Sequence, residues 1–228
     1  MKINIIGTGS AGNAILLCDS VLIDVGLPYK DLSKYAQEIK IVLLTHIHGD
    51  HFNRSSIRKL YIENENIRFC CGDFLEQNLI DLGISKNRII VLERGKKYNL
   101  GDVIFSPVFL QHDVKNFGYR VMQNGHKHFH ATDASNLEGI SAENYNSATV
   151  EANHDLLAAT KIIEEKNLSG EFCHLNRAIK THLSVDKAIK FITDNNIETY
   201  YPVHIGGLTR REVDCKLNSP LPFVVKNK

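Results

Sequence analysis

Short apolar runs dominate the first half of the chain. Ile3 to Ile6, Ala14 to Leu17, Val21 to Val25 and Ile41 to Leu44 are each bounded by Gly, Asp, Ser or Asn, the pattern of buried strands. Helical spacing then takes over, with Ile57, Leu60 and Tyr61 on one face of Ser55 to Glu63, followed by a second helix over Phe74 to Leu82. Strand patterns recur at Ile67 to Cys71, Ile89 to Leu92, Val103 to Leu110, Gly118 to Met122 and His126 to Ala131. The last third reads as helix at Asp155 to Lys166 and Ser184 to Thr193, and as strand at Ala148 to Glu151 and Thr199 to Val203. No linker, repeat or low-complexity tract interrupts this order. The expectation is one domain over residues 1–228 of α/β class, with two packed sheets and helices on their outer faces rather than a doubly wound sheet.

Composition narrows the setting. Lys and Arg number 27 against 26 Asp and Glu, a formal charge of +1, so no global field announces a polyanionic partner. The five Cys, at 18, 70, 71, 173 and 215, are odd in number and never spaced C-x-x-C, which suits reduced thiols in the cytoplasm. The first residues carry too short an apolar run for a signal peptide, and no later stretch approaches a membrane span of about 18 apolar residues. A cytoplasmic protein without a membrane partner is expected.

The chemistry is concentrated in Thr45-His46-Ile47-His48-Gly49-Asp50-His51, directly after the apolar run Ile41 to Leu44. Imidazole and carboxylate donors on a loop at a strand end converge without disturbing a core, and they suit Zn²⁺, Mn²⁺ or Fe better than thiolate-seeking metals. With 11 His in 228 residues, three His at these offsets arise by chance at about one start site in ten thousand. The earlier turn Gly7 to Asn13 lacks the Lys-Ser/Thr ending of a P-loop and is weak as a nucleotide motif.

Thr45 to His51 resembles the T-H-x-H-x-D-H signature of the metallo-β-lactamase superfamily. That resemblance implies an αββα sandwich and a two-metal hydrolase. It assigns His46, His48 and His112 to one divalent cation, Asp50, His51 and His204 to the other, and Asp133 between them. Asp50 is thereby both ligand and catalytic residue. Asp24, after Leu22-Ile23, resembles the early aspartate that orients the histidine loop. Two such cations lower the pKa of water and clamp a phosphoryl or acyl oxygen, which supplies a nucleophile at neutral pH.

Gly9 to Asn13, His112 to Tyr119, Glu151 to Asp155 and Thr181 to Ser184 together resemble bacterial proteins of the YycJ/WalJ type, regarded as phosphodiesterases or DNA exonucleases. Thr181-His182-Leu183-Ser184 also resembles a segment of RNase Z enzymes whose histidine helps protonate a leaving oxygen. His182 is therefore expected to act as general acid, the alternative being that it only packs beside a helix capped by Ser184. His154 either lines the cleft in support of the ligands, or stands beside an Asp155 that complements a helix N-terminus. His126, His128 and His130 share one strand face, opposite in parity to Asp133, and are expected to face solvent. Arg94, Lys96 and Lys97 form a short basic turn and, with Arg54, Arg58 and Lys59, have the composition of a solvated face; the alternative for Arg54 and Arg58, one helical turn apart, and for Arg177 and Lys180 is contact with phosphates.

The leading expectation is a di-metal phosphodiesterase acting on nucleic acid, exonuclease-like, with a homodimer admitted as assembly. The alternatives are a cyclic-nucleotide phosphodiesterase, a thioester or lactone hydrolase of glyoxalase type, and a scaffold that retains the fold without catalysis.

Overall fold

The computed structural model describes residues 1–226. The chain forms two compact units, Met1–Tyr98 and Asn99–Lys228.

In the first unit, β1 (Ile3–Gly7), β2 (Ala14–Leu17), β3 (Val21–Ile23), β4 (Ile41–Leu43), β5 (Arg68–Gly72) and β6 (Ile89–Leu92) form a six-stranded sheet in that order. Pairing is antiparallel from β1 to β3 and parallel from β3 to β6, so the sheet is mixed. A single turn α1 (Tyr29–Leu32) and the helices α2 (Arg54–Glu63) and α3 (Asp73–Asp81) join the parallel strands. Ile57 and Leu60 of α2 and Leu75 and Leu79 of α3 are fully buried with Leu22, Val42 and Phe69, the i, i+3 and i, i+4 spacing read in the sequence. Asn53 caps α2 by accepting from the Ser56 amide at 3.1 Å.

Arg88 pins the far end of this unit. Its guanidinium is nearly buried and donates to the carbonyls of Ile67 at 3.0 Å, Tyr61 at 3.1 Å and Asn64 at 2.6 Å. Asn64 in turn donates to the carbonyls of Ala36 at 2.7 Å and Ile39 at 2.9 Å. These bonds satisfy carbonyls in the last turn of α2 and in the segments that lead into the sheet strands it joins.

The second, seven-stranded sheet has the order β13-β12-β11-β10-β9-β8-β7. Its strands are β7 (Tyr98–Leu100), β8 (Val103–Leu110), β9 (Asn116–Gln123), β10 (His126–Ala131), β11 (Ser147–Glu151), β12 (Thr199–Val203) and β13 (Val224–Val225). Pairing is antiparallel from β8 to β10 and parallel from β10 to β13, again a mixed sheet. The helices are α4 (Leu156–Leu168), α5 (Leu175–Thr181), α6 (Val185–Asp194) and α7 (Arg210–Leu217). Val185, Ala188, Phe191 and Ile192 of α6 pack on Phe129, Ala131, Ala148 and Val150. Ser184 caps α6 and Asp155 caps α4, so both residues do what their helix-start signals predict.

The expectation that His126, His128 and His130 face solvent is overturned. His128 is fully buried and His130 is 1% exposed, while His126 is half-buried. The three side chains do share one face, but that face is covered: Ser147 and Thr149 of the paired strand β11, which these rings meet, are buried as well. Two hydroxyls of β11 meet four of the ring nitrogens. Ser147 Oγ lies 3.0 Å from His126 Nε2 and 2.8 Å from His128 Nδ1, and Thr149 Oγ1 lies 3.0 Å from His128 Nε2 and 2.8 Å from His130 Nδ1.

No helix among the described residues is long and apolar enough to cross a membrane. Replacement Arg88→Met keeps an unbranched apolar stem and removes all three donations; we expect a loss of roughly 2–4 kcal/mol in denaturant unfolding, with Asn64→Ala also destabilising. An unchanged unfolding midpoint for Arg88→Met refutes this role.

Candidate functional site

Parallel pairing aligns Ile23 of β3 with Leu43 of β4, so the residues just beyond each strand emerge at one sheet edge. There Asp24, 1% exposed, accepts from the Thr45 amide at 2.8 Å and lies within 3.0 Å of the Thr45 hydroxyl. Its second oxygen accepts from His51 Nδ1 at 2.6 Å. That bond places the His51 proton on Nδ1 and the lone pair on Nε2, where the Asn13 side-chain amide donates at 2.8 Å and where a metal would take its place. The same logic holds for His46. The Thr45 hydroxyl gives its proton to Asp24 and accepts from His46 Nδ1 at 2.9 Å, which leaves His46 Nε2 as the donor atom.

The remaining distances fit a divalent cation. His46 Nε2 and His48 Nδ1 are 3.1 Å apart, and His51 Nε2 and Asp50 Oδ2 are 3.5 Å apart. Two donors each about 2.0–2.1 Å from a tetrahedral zinc stand about 3.3–3.4 Å from one another. Nitrogen and carboxylate oxygen are also the donor types zinc and manganese take.

The turn Gly7 to Asn13 serves as a brace for this loop. The Asn13 amide donates to the Asp50 carbonyl at 2.7 Å, and the Gly26 amide to the Asn13 carbonyl at 2.8 Å. A Cβ on Gly26 would stand 1.7 Å from the Asp50 carbonyl oxygen, so only glycine allows this approach.

In the second unit the candidate residues again lie beyond strand ends: His112 after β8, Asp133 after β10, Glu151 at the end of β11 and His204 after β12. Asp133 Oδ1 lies 3.9 Å from His112 Nε2, 3.4 Å from His182 Nδ1 and 3.8 Å from His204 Nδ1. His112 Nδ1 donates to the Thr181 carbonyl at 3.0 Å, which puts the lone pair on Nε2, the nitrogen that would face a metal. Burial pulls the His112 pKa down, against the charge of Asp133, and so favours the neutral ring a metal requires.

Glu151, to which the sequence pattern assigned no role, joins the candidate site residues of this unit. Its carboxylate is fully buried and accepts from the amides of Ala134 at 2.8 Å and Leu183 at 2.7 Å through one oxygen. The other oxygen lies 3.1 Å from His182 Nδ1 and 3.4 Å from His204 Nδ1. Donor atoms of Asp133, Glu151, His182 and His204 fall within 4.8 Å of one another. With its oxygens engaged by amides and imidazoles, Glu151 is placed to orient the two rings. Burial pushes its pKa up, but the hydrogen bonds from His182 and His204 hold it below the usual carboxylate value. For His182 burial acts downward, and the Glu151 hydrogen bond with the charges of Glu151 and Asp133 prevails and raises the pKa. A charged residue closing the otherwise uncharged strand Ser147 to Val150 was the available signal.

His154 is 2% exposed, its Nδ1 has no hydrogen-bond partner among the described residues, and burial lowers its pKa. The Val185 amide bonds its carbonyl at 2.9 Å, which fixes its backbone beside Ser184. Asp155 caps α4 and pairs with Lys216 at 2.6 Å. Among the basic candidates, Arg177 forms an ion pair with Asp113, and Lys96 pairs with Glu93 at 2.8 Å. Arg54, Arg58, Arg94, Lys97 and Lys180 are exposed.

Because Asp24 fixes the tautomer of His51 and the course of the loop, Asp24→Ala is expected to weaken divalent-metal affinity about 10–100-fold in competition with a chromogenic chelator. Wild-type affinity in that variant contradicts the role.

No curated protein matches the chain. Solved structures do. The metallo-beta-lactamase fold protein YhfI from Bacillus subtilis superposes with a TM-score of 0.75 at 15% identity, over 99% of this chain and 95% of that one. The short form of human tRNase Z gives a TM-score of 0.65 at 18% identity, covering 93% of this chain and 94% of its own. A diphosphatase from the PhnP family gives 0.68 at 15% identity, covering 99% and 93%. At such identities the likeness establishes the fold, two mixed sheets with helices as found here. The family model described as Beta-lactamase superfamily domain matches residues 21–205, and with the strand-end histidines and carboxylates in place the chain belongs to that superfamily, with the metallo-β-lactamase fold.

Proposed function

We propose that this metallo-β-lactamase-fold hydrolase is a phosphodiesterase acting on nucleic acid or a nucleotide, exonuclease-like in its choice of substrate. In this reading His46, His48, Asp50, His51, His112, Asp133 and His204 are the ligands of two divalent cations, zinc or manganese, with iron the further alternative. The cations, when bound, supply charge neutralisation at the phosphoryl oxygens and an activated water.

The observation that carries the proposal is the His182–Glu151 contact. Hydrolysis of a phosphodiester releases an alkoxide, which needs a proton as it departs, whereas the thiolate released from a thioester does not. Glu151 Oε2 holds the Nδ1 proton of His182 at 3.1 Å and leaves Nε2 as the end that exchanges a proton with a ligand. The buried carboxylates of Glu151 and Asp133 also stabilise the imidazolium against the opposing effect of burial, and the raised pKa of His182 favours the acid form. The structural likeness to a tRNase Z and to a diphosphatase agrees with phosphoryl chemistry. The resemblance to the YycJ/WalJ type favours DNA.

The test is a panel of single-stranded DNA, duplex DNA, RNA, cyclic mononucleotides and a model thioester, offered to the Mn²⁺-loaded protein. Cleavage of DNA ends is expected, and activity confined to the thioester overturns the reading. His182→Ala should lower kcat on the phosphodiester by about 10²–10⁴-fold with metal content unchanged. Loss of metal in that variant instead makes His182 a ligand.

A further inference from the structure

A groove of about 430 Å³ opens in the second unit between the loop 136–143 and α6. Leu137, Ile140, Leu183 and Phe191 give it apolar lining. Its volume lies within the usual range of small-molecule sites, about 300–1,000 Å³. Glu138, Glu143, Lys187 and Lys190 lie along it as exposed charged groups.

The wall of the groove is held rather than draped. The Ser135 amide donates to the Gln111 carbonyl at 2.9 Å, Arg120 grips the Ser141 carbonyl at 2.7 Å, and Asn195 Oδ1 accepts from the Ala142 amide at 2.6 Å. A loop pinned at both ends keeps the groove open without a ligand, which lowers the cost of binding. One end of the groove adjoins the candidate site by chain connection. Leu183 follows His182 directly, and Lys187 donates to the carbonyl of Ser135, two residues beyond Asp133, at 3.1 Å.

The geometry points to this groove as the subsite for one nucleoside of the substrate, its base against Ile140 and Phe191 and its sugar toward the carboxylates of Glu138 and Glu143. The proposal rests on the phosphodiesterase reading. Charge selects the nucleoside over a run of phosphates: Glu138, Glu143 and Asp194 outnumber Lys187 and Lys190, and Lys190 is paired with Asp194 at 2.7 Å. A polyanion gains nothing from such a rim, whereas carboxylates accept readily from sugar hydroxyls and base amino groups. Lys187, beside Ser135, is the cation left for the phosphate at the inner end.

Two variants narrow the groove, Ile140→Trp from its lining and Ser141→Trp from an exposed position that leaves the core untouched. With the metal-loaded protein, both should raise KM for a thymidine p-nitrophenyl phosphodiester by about tenfold and leave KM for bis(p-nitrophenyl) phosphate unchanged. Equal effects on the two esters, or none on either, overturn the subsite. A second readout is independent of turnover. Thymidine and adenosine, which carry no phosphate, should shift the methyl resonances of Ile140 and Leu183 in the wild type and not in Ser141→Trp. Failure of both esters to react sinks the phosphodiesterase reading; absence of methyl shifts with nucleoside sinks the groove as a subsite.

Discussion

A carboxylate buried at the end of a parallel strand must be met by donors, and the candidate residues of each unit are organised around that requirement. Asp24 in the first unit takes the Thr45 amide, the Thr45 hydroxyl and His51 Nδ1. Glu151 in the second takes the amides of Ala134 and Leu183 and the His182 ring. Each carboxylate binds the backbone of the loop it organises and the inner nitrogen of a histidine on that loop. Backbone course and ring tautomer are therefore set together. Removal of either acid would leave buried donors unpaired, at about 1–3 kcal/mol each.

Three site residues sit on backbone that few side chains adopt. Asp24, Asp133 and His204 have φ of +60°, +54° and +54°, each in the left-handed region immediately beyond a strand or one residue further. This conformation costs roughly 1–2 kcal/mol for a residue with a Cβ, less for aspartate than for bulkier types. The bonds to Asp24 are charge-assisted and worth about 1.5–3 kcal/mol each, enough to hold it there. The sharp turn ends the strand and directs the side chain away from the ladder, which is what a ligand at a sheet edge needs.

Buried imidazoles divide into two kinds by what meets their nitrogens. Along β10 the rings of His126, His128 and His130 alternate with the hydroxyls of Ser147 and Thr149, so donors and acceptors satisfy one another along the face. Among the candidate site residues, His51, His112 and His182 each have Nδ1 engaged by a carboxylate or carbonyl. A histidine-rich strand and a histidine-rich loop thus look alike in composition and differ in chemistry.

The sequence alone determined the strands with strong apolar runs, since β2, β6, β8, β10 and β12 match the runs residue for residue. It also determined the cluster Thr45 to His51, because candidate ligands one to five residues apart need no distant partner to be recognised. The helices α5 and α7 and the short strands β7 and β13 escaped it, having too few apolar positions for a period to show; α7 buries only Val213 and Leu217. Tertiary structure alone decided the roles of Glu151, Asn13 and Gly26, and the burial of the β10 histidines. In each case the partner is distant in sequence: Glu151 meets an amide 32 residues on, and Asn13 meets an imidazole 38 residues on. Local pattern reports how a segment meets its neighbours in the chain, whereas the cost of burying a charge or an imidazole is settled by which remote groups the fold brings within hydrogen-bond reach.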